Sequence, residues 1–119
     1  MNRFVTRYAF SSLPPINFKP SAYTGPAFEQ VVKDRKKYMP NFYFHYYKTP
    51  LLISEGHMQY LFDHTGKRYL DLISGICTVS VGHAHPAISK VVKDQTAKLS
   101  HTSPIYLSEW QGQYSKMLC

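Results

Sequence analysis

The sequence predicts an α+β arrangement in which a short antiparallel β-meander is followed by two helices, and three stretches carry that expectation. Between Pro50 and Asp71, apolar and aromatic residues alternate with polar ones on either side of a turn signal. Pro86 then opens a run whose apolar residues fall at helical spacing, and Ser108 opens a second.

Pro50 to Ser54, with Leu51-Leu52-Ile53 inside it, and Gln59 to Phe62 read as strands. Asp63-His64-Thr65-Gly66 is a turn in which Gly66 can take a positive φ, and Lys67 to Asp71 is the returning strand. Tyr60, Phe62, Tyr69, Leu51 and Ile53 alternate as in a half-buried meander. Two or three strands alone are marginally stable, so they must lie against another surface. Pro86 suits a first helical position, and Ile88, Val91, Val92, Gln95 and Leu99 then give a one-sided helix ending near Ser100. Ser108-Glu109-Trp110-Gln111 has the capping-box pattern, with Trp110, Tyr114, Met117 and Leu118 on one stripe of the helix it opens.

Upstream, Glu29 to Tyr38 reads as a short polar helix with Phe28, Val31, Val32 and Arg35 on its inner side, ended by Pro40. Phe42, Tyr43, Phe44, Tyr46 and Tyr47 make the next segment densely aromatic, as expected of chain laid against a surface. Residues 1–20 carry Arg3, Arg7 and Lys19 with no acid before Glu29, and Phe4, Val5, Tyr8 and Phe10 lie between the charges. That is the composition of a mitochondrial transit peptide, and Arg7-Tyr8-Ala9 resembles a matrix-protease cleavage context. Pro14, Pro15, Pro20 and Pro26 keep the chain that follows extended. The expected organisation is therefore a transit peptide and Pro-rich leader at 1–20, an N-terminal arm at 21–48, and the meander with its helices at 49–119.

The net charge of +7 is uneven: residues 1–48 hold eight Lys and Arg against two acids, and residues 49–119 six against five. A nucleic-acid-binding face would place its basic residues on the folded part, so none is expected. The Lys33 to Lys37 cluster reads as a solvated face. Cys77 and Cys119 show no Cys-x-x-Cys spacing, which supports neither a disulfide framework nor a zinc ribbon. No apolar run approaches the roughly 20 residues that span a bilayer.

His83 and His85, two apart, could point the same way from an extended chain and hold zinc, but no paired third and fourth ligands accompany them. No metal is expected. Ser74, Ser80 and Ser103 lack a Gly-x-Ser-x-Gly setting, and nucleotide-binding glycine fingerprints are absent.

Asp63-His64-Thr65-Gly66, Tyr69-Leu70-Asp71, Ser74-Gly75 and Gly82-His83-Ala84-His85-Pro86 follow one another in an order that resembles the N-terminal part of the class III, pyridoxal-phosphate-dependent aminotransferases. Ile76 to Val81 and His101-Thr102-Ser103 look closest to the mitochondrial branch acting on alanine and glyoxylate. The resemblance implies a fold-type I transferase of which this chain carries only the N-terminal segment, without the large domain that binds the cofactor. The chain ends within the amphipathic Tyr114 to Cys119 pattern, so a fragment, a truncated isoform or an incomplete gene model is expected. Substrate contact is implied for Tyr46, with Tyr47 the alternative if the register slips, and for Gly75 and Ile76. An aromatic packed on a partner domain and a glycine that merely turns the chain are equally open at those positions. In the Gly82 to Pro86 motif the roles are structural: Gly82 turns sharply, His85 can cap and Pro86 starts the helix.

Pyridoxal phosphate, amino-acid and oxo-acid substrates and a homo-oligomer are implied for the complete protein. None of the ten lysines matches the family's Schiff-base motif, so this chain is expected to bind no cofactor covalently and to be inactive alone. The competing expectation is a non-catalytic product, one that docks on a complete subunit or serves as a basic, aromatic binding module.

Overall fold

A computed structural model describes residues 13–43 and 45–119 and divides the chain into two units, the first ending at His85 and the second running Pro86–Cys119. The first contains a helix, α1 (Phe28–Tyr38), and three strands, β1 (Ile53–His57), β2 (Tyr60–Asp63) and β3 (Arg68–Leu70). The strands form one antiparallel sheet in the order β1-β2-β3. Residues 1–12, on which most of the transit-peptide expectation falls, including Arg3 and Arg7, lie outside the described residues, as does Phe44.

The meander is present, but its first strand is displaced from Pro50–Ser54 to Ile53–His57. The cause is a two-residue hairpin, Met58-Gln59, between the paired His57 and Tyr60. Met58 takes a φ of +50°, which a tight hairpin demands and a methionine rarely supplies. The long-range bridge to His83 holds it there: Met58 N donates to His83 O and His83 N to Met58 O, each at 2.8 Å. The register then slips by one residue between Ile53 and Glu55, a bulge that leaves Ile53 opposite Asp63. The second turn forms as expected, with Gly66 at a φ of +83°.

Among the described residues, Tyr60 and Phe62, 4% and 2% exposed, are the buried hydrophobic ones. Their face of the sheet also carries Glu55 and His57, their register partners on β1, and it is covered by the extended chain upstream. Phe18 stacks on His57 with ring centroids 4.0 Å apart and lies 5.3 Å from Phe62. Ser21 N donates to the Glu55 carboxylate at 2.6 Å. Arg68 places its guanidinium 4.7 Å from the Tyr60 ring centre and donates to Leu13 O at 3.0 Å. Phe28 stacks on His64 and Tyr23 meets that ring edge-on. Burying two aromatic side chains is worth roughly 2–3 kcal/mol each, which a bare meander could not secure.

The ring laid on that face is thus Phe18, while Tyr23 and Phe28 pack on His64 in the turn. Phe42, Tyr43, Tyr46 and Tyr47 stay largely exposed, Phe42 and Tyr43 packing on each other. Leu51 and Ile53 are likewise exposed, because the displaced strand carries them away from the covered face. In α1 the half-buried side contains Phe28, Val31, Val32 and Arg35, the stripe its sequence predicts.

The second unit is α2 (Pro86–Lys98) and α3 (Glu109–Leu118), neither of which buries a residue. Ile88, Val91, Val92, Trp110, Tyr114 and Met117 are all exposed. Ser108 is the N-cap of α3, but its hydroxyl makes no capping bond, so the capping box marks the helix start without closing. Among the described residues no helix is long and apolar enough to cross a membrane.

Candidate functional site

The sheet face opposite Tyr60 and Phe62 borders a cleft of about 630 Å³. Leu61 and Tyr69, paired across β2 and β3, line it from the sheet. Leu51 and Ile53 line its β1 side, Tyr46 and Tyr47 come from the segment before β1, and Gly75 comes from the loop after β3. Tyr46 and Gly75, 29 positions apart in sequence, therefore share one concavity. Ile76 does not line it; at 85% exposure its side chain faces solvent.

The loop that delivers Gly75 has an unusual backbone. Ser74, Gly75, Ile76 and Cys77 take successive φ values of +52°, +58°, +56° and +66°, a left-handed turn. Three of the four carry a Cβ, and each costs about 1–2 kcal/mol there. Such a turn persists only where its surroundings over-determine it. Ile76 N donates to Ile73 O and Val79 N to Ser74 O, while the Thr78 hydroxyl donates to Gly75 O at 2.7 Å.

Asp71 organises both ends of this loop. Its Oδ1 accepts from Ile73 N at 2.9 Å and Ser74 N at 3.0 Å. Its Oδ2 lies 2.6 Å from His83 Nε2, the side chains being 9% and 21% exposed. The hydrogen bond from His83, then those from the two amides, hold the Asp71 carboxyl below the ordinary carboxylate range. The pair lines both the large cleft and a smaller cavity of about 160 Å³ bounded by Met58, Gln59 and Val79 to Gly82. Behind the imidazole lies Gly56, where an added Cβ would stand 2.7 Å from His83 Cβ.

Sequence reasoning missed this pair. An Asp two residues before the amides it accepts is a legible Asx-turn signal, but a partner twelve positions on is set only by the loop's return. The chain between His83 and His85 is not extended, since Ala84 takes a φ of +50°, so the geometry that would let an i, i+2 pair point the same way is not present. His85 Nδ1 is buried without a hydrogen-bond partner, so that nitrogen caps nothing. Among the described residues no group of three or more His, Cys, Asp or Glu is placed to hold a metal ion.

A second carboxylate, Asp63, closes the other turn. It accepts from Thr65 N, Thr65 Oγ1, Lys67 N and Tyr69 Oη at 2.6–3.0 Å. Desolvation raises its pKa, but the bonds from Thr65, Tyr69 and Lys67 together outweigh that and bring it to about 2. Tyr69 is raised in turn, chiefly because it donates to this carboxylate.

The sequence pattern of aminotransferase class III matches residues 43–119, which include the meander, the cleft and both helices of the second unit. The chain belongs to the class III aminotransferase family. It is 39% identical over 106 residues to human alanine–glyoxylate aminotransferase 2, mitochondrial, and covers 21% of that protein. The chain thus spans about a fifth of the length of the curated relative it matches. Among solved structures, acetylornithine aminotransferase from Elizabethkingia anophelis superposes with a TM-score of 0.66 at 27% identity, covering 76% of this chain and 22% of that one. Taurine:2-oxoglutarate aminotransferase from Bifidobacterium kashiwanohense, solved with PLP and glutamate, gives 0.67 at 26% identity over 81% of this chain and 22% of its own. The fold of this chain is thus shared with part of these aminotransferases.

Pyridoxal phosphate needs an amine for its aldehyde and donors or cations for its phosphate. The cleft is lined by neither lysine nor arginine. Lys48 and Lys67 are exposed, and Lys67 lies over the Tyr69 ring. The residues lining the cleft therefore do not fit the cofactor by themselves.

Proposed function

We propose that this chain is the substrate-facing N-terminal segment of a mitochondrial aminotransferase that moves an amino group from an amino acid such as alanine to an oxo acid such as glyoxylate. The observation that carries the reading is the meeting of Tyr46 and Gly75 in one apolar-walled cleft with no amine or guanidinium in its lining. A surface of that kind suits the apolar part of a small amino acid or oxo acid, while the reactive group and its cations come from elsewhere. In this reading Tyr46 and Gly75 bound the substrate, while Ile76, whose side chain faces solvent, does not reach it from this cleft. Pyridoxal phosphate is held by further residues of the complete protein, and the 119-residue chain alone does not transaminate. The unburied apolar stripes of α2 and α3 are consistent with a segment that is covered in a homo-oligomer.

The test is to isolate the endogenous protein from mitochondria, measure its intact mass and assay amino transfer from alanine to glyoxylate. A protein longer than this chain, present in the matrix and forming pyruvate and glycine, is the expected result. A stable 119-residue product without transferase activity would overturn the reading and favour a non-catalytic role.

A further inference from the structure

We infer that Asp71 is a positioning residue: through His83 it clamps the two ends of the 73–82 loop so that the left-handed turn presents Gly75 to the cleft. The inference rests on the functional reading above and deepens it, because it names what sets the shape of the substrate wall. Three independent observations converge. The Asp71 carboxylate divides its oxygens, Oδ1 taking the amides that start the loop and Oδ2 taking the imidazole that ends it. The backbone of His83 is tied to Met58 in both directions at 2.8 Å, which fixes the far anchor to the β1–β2 hairpin. The near anchor is fixed as well, since Asp71 N donates to Gln59 O at 2.9 Å.

Between those anchors the chain must return within eleven residues and does so through three non-glycine residues at positive φ. The hydrogen bonds internal to the loop shape the turn, and among the described residues only the Asp71–His83 bond joins its two stems through side chains. Gly56 completes the device. The absent side chain on β1 lets the His83 ring lie against the strand, and any Cβ there would push the ring off Asp71. Asp71 therefore acts on substrate through His83 and the turn, not by touching the reacting atoms.

The experiment uses the complete protein with its cofactor and compares Asp71→Asn, His83→Ala, His83→Gln and Gly56→Ala with the parent. Asparagine keeps an oxygen for the Ile73 and Ser74 amides but loses the anionic partner of His83. The expected result is a KM for the amino donor raised about tenfold in Asp71→Asn and His83→Ala, with the cofactor absorbance and melting temperature kept near parental values, whereas Gly56→Ala should raise KM and also lower the melting temperature, because its Cβ would stand 2.7 Å from His83 Cβ. His83→Gln, whose amide can still donate to Asp71, should recover most of the loss. Combining Asp71→Asn with His83→Ala should be no worse than the worse single change, because both remove one bond. Should Asp71→Asn fail to fold, the comparison of His83→Ala with His83→Gln carries the same test with Asp71 intact. An active parent whose Asp71→Asn and His83→Ala variants keep its KM, or lose activity only in step with melting temperature, overturns the clamp. A parent with no transaminase activity overturns the functional reading itself, and the role of the clamp with it.

Discussion

Two turns leave the same small sheet, each organised by an aspartate, and they use the same chemistry to different ends. At the β2–β3 turn, Asp63 is nearly buried, spends its oxygens on groups within six residues, and closes a loop whose single left-handed residue is Gly66. After β3, Asp71 also accepts from the amides just downstream, but its second oxygen reaches twelve residues ahead to His83. The chain it encloses is left-handed at Ser74, Ile76 and Cys77 as well as at Gly75. The first turn is locally consistent and serves stability. The second is locally strained, borders a cleft, and holds its shape by long-range contact, the combination expected where binding rather than folding sets the conformation.

The largest stability effect should come from the first turn. Asp63→Ala leaves the Thr65 and Lys67 amides and the Tyr69 hydroxyl without their acceptor, at a cost of about 3 kcal/mol or more. Amide exchange across Tyr60 to Tyr69 measures it, and protection equal to the parent's would erase the contrast between the turns. Acid should expose the same difference. Because the Asp63 pKa is depressed to about 2 from 3.8, its contribution is complete above roughly pH 4 and is lost as pH falls through about 2. An acid titration of β2–β3 protection should therefore show a step in that window that Asp63→Asn abolishes. The smallest effect belongs to the strained turn. Ile76 is exposed, so Ile76→Gly removes strain and little packing, and after the entropy of the added glycine it should stabilise by about 0.5–1 kcal/mol. A destabilisation read by thermal melting would mean the turn is not strained in solution.

The same contrast explains what could be read from the sequence. The Asp63 turn, the inner side of α1 and the start of α2 were legible because each follows from neighbouring residues: an Asp-x-x-Gly turn, a helical stripe, a proline at a first position. The β1 boundary was not, since Met58-Gln59 carries none of the glycine or asparagine that announces a two-residue hairpin and is held instead by His83. The ring that covers Phe62 was not legible for a related reason. Phe18 lies in the proline-rich stretch that reads as extended leader, and only the fold brings it onto the sheet. Of the candidate site, motif resemblance picked out Tyr46 and Gly75, which meet in the cleft, and Ile76, which faces away from it. Asp71 and His83 stayed hidden because their pairing exists only once the loop has closed.

Two positive-φ glycines, Gly66 in the first turn and Gly75 in the second, give the most direct test of the central claim that the second turn faces substrate. A Cβ at Gly66 meets only Pro20 Cγ at 3.8 Å and one at Gly75 only Thr78, nearest at 3.6 Å, so neither clashes and both pay a similar backbone strain of about 1 kcal/mol. Gly66→Ala and Gly75→Ala in the complete protein should then lower the melting temperature alike. The account predicts that kcat/KM for the amino donor falls about tenfold in Gly75→Ala and stays at the parental value in Gly66→Ala. Equal kcat/KM in the two variants would contradict it.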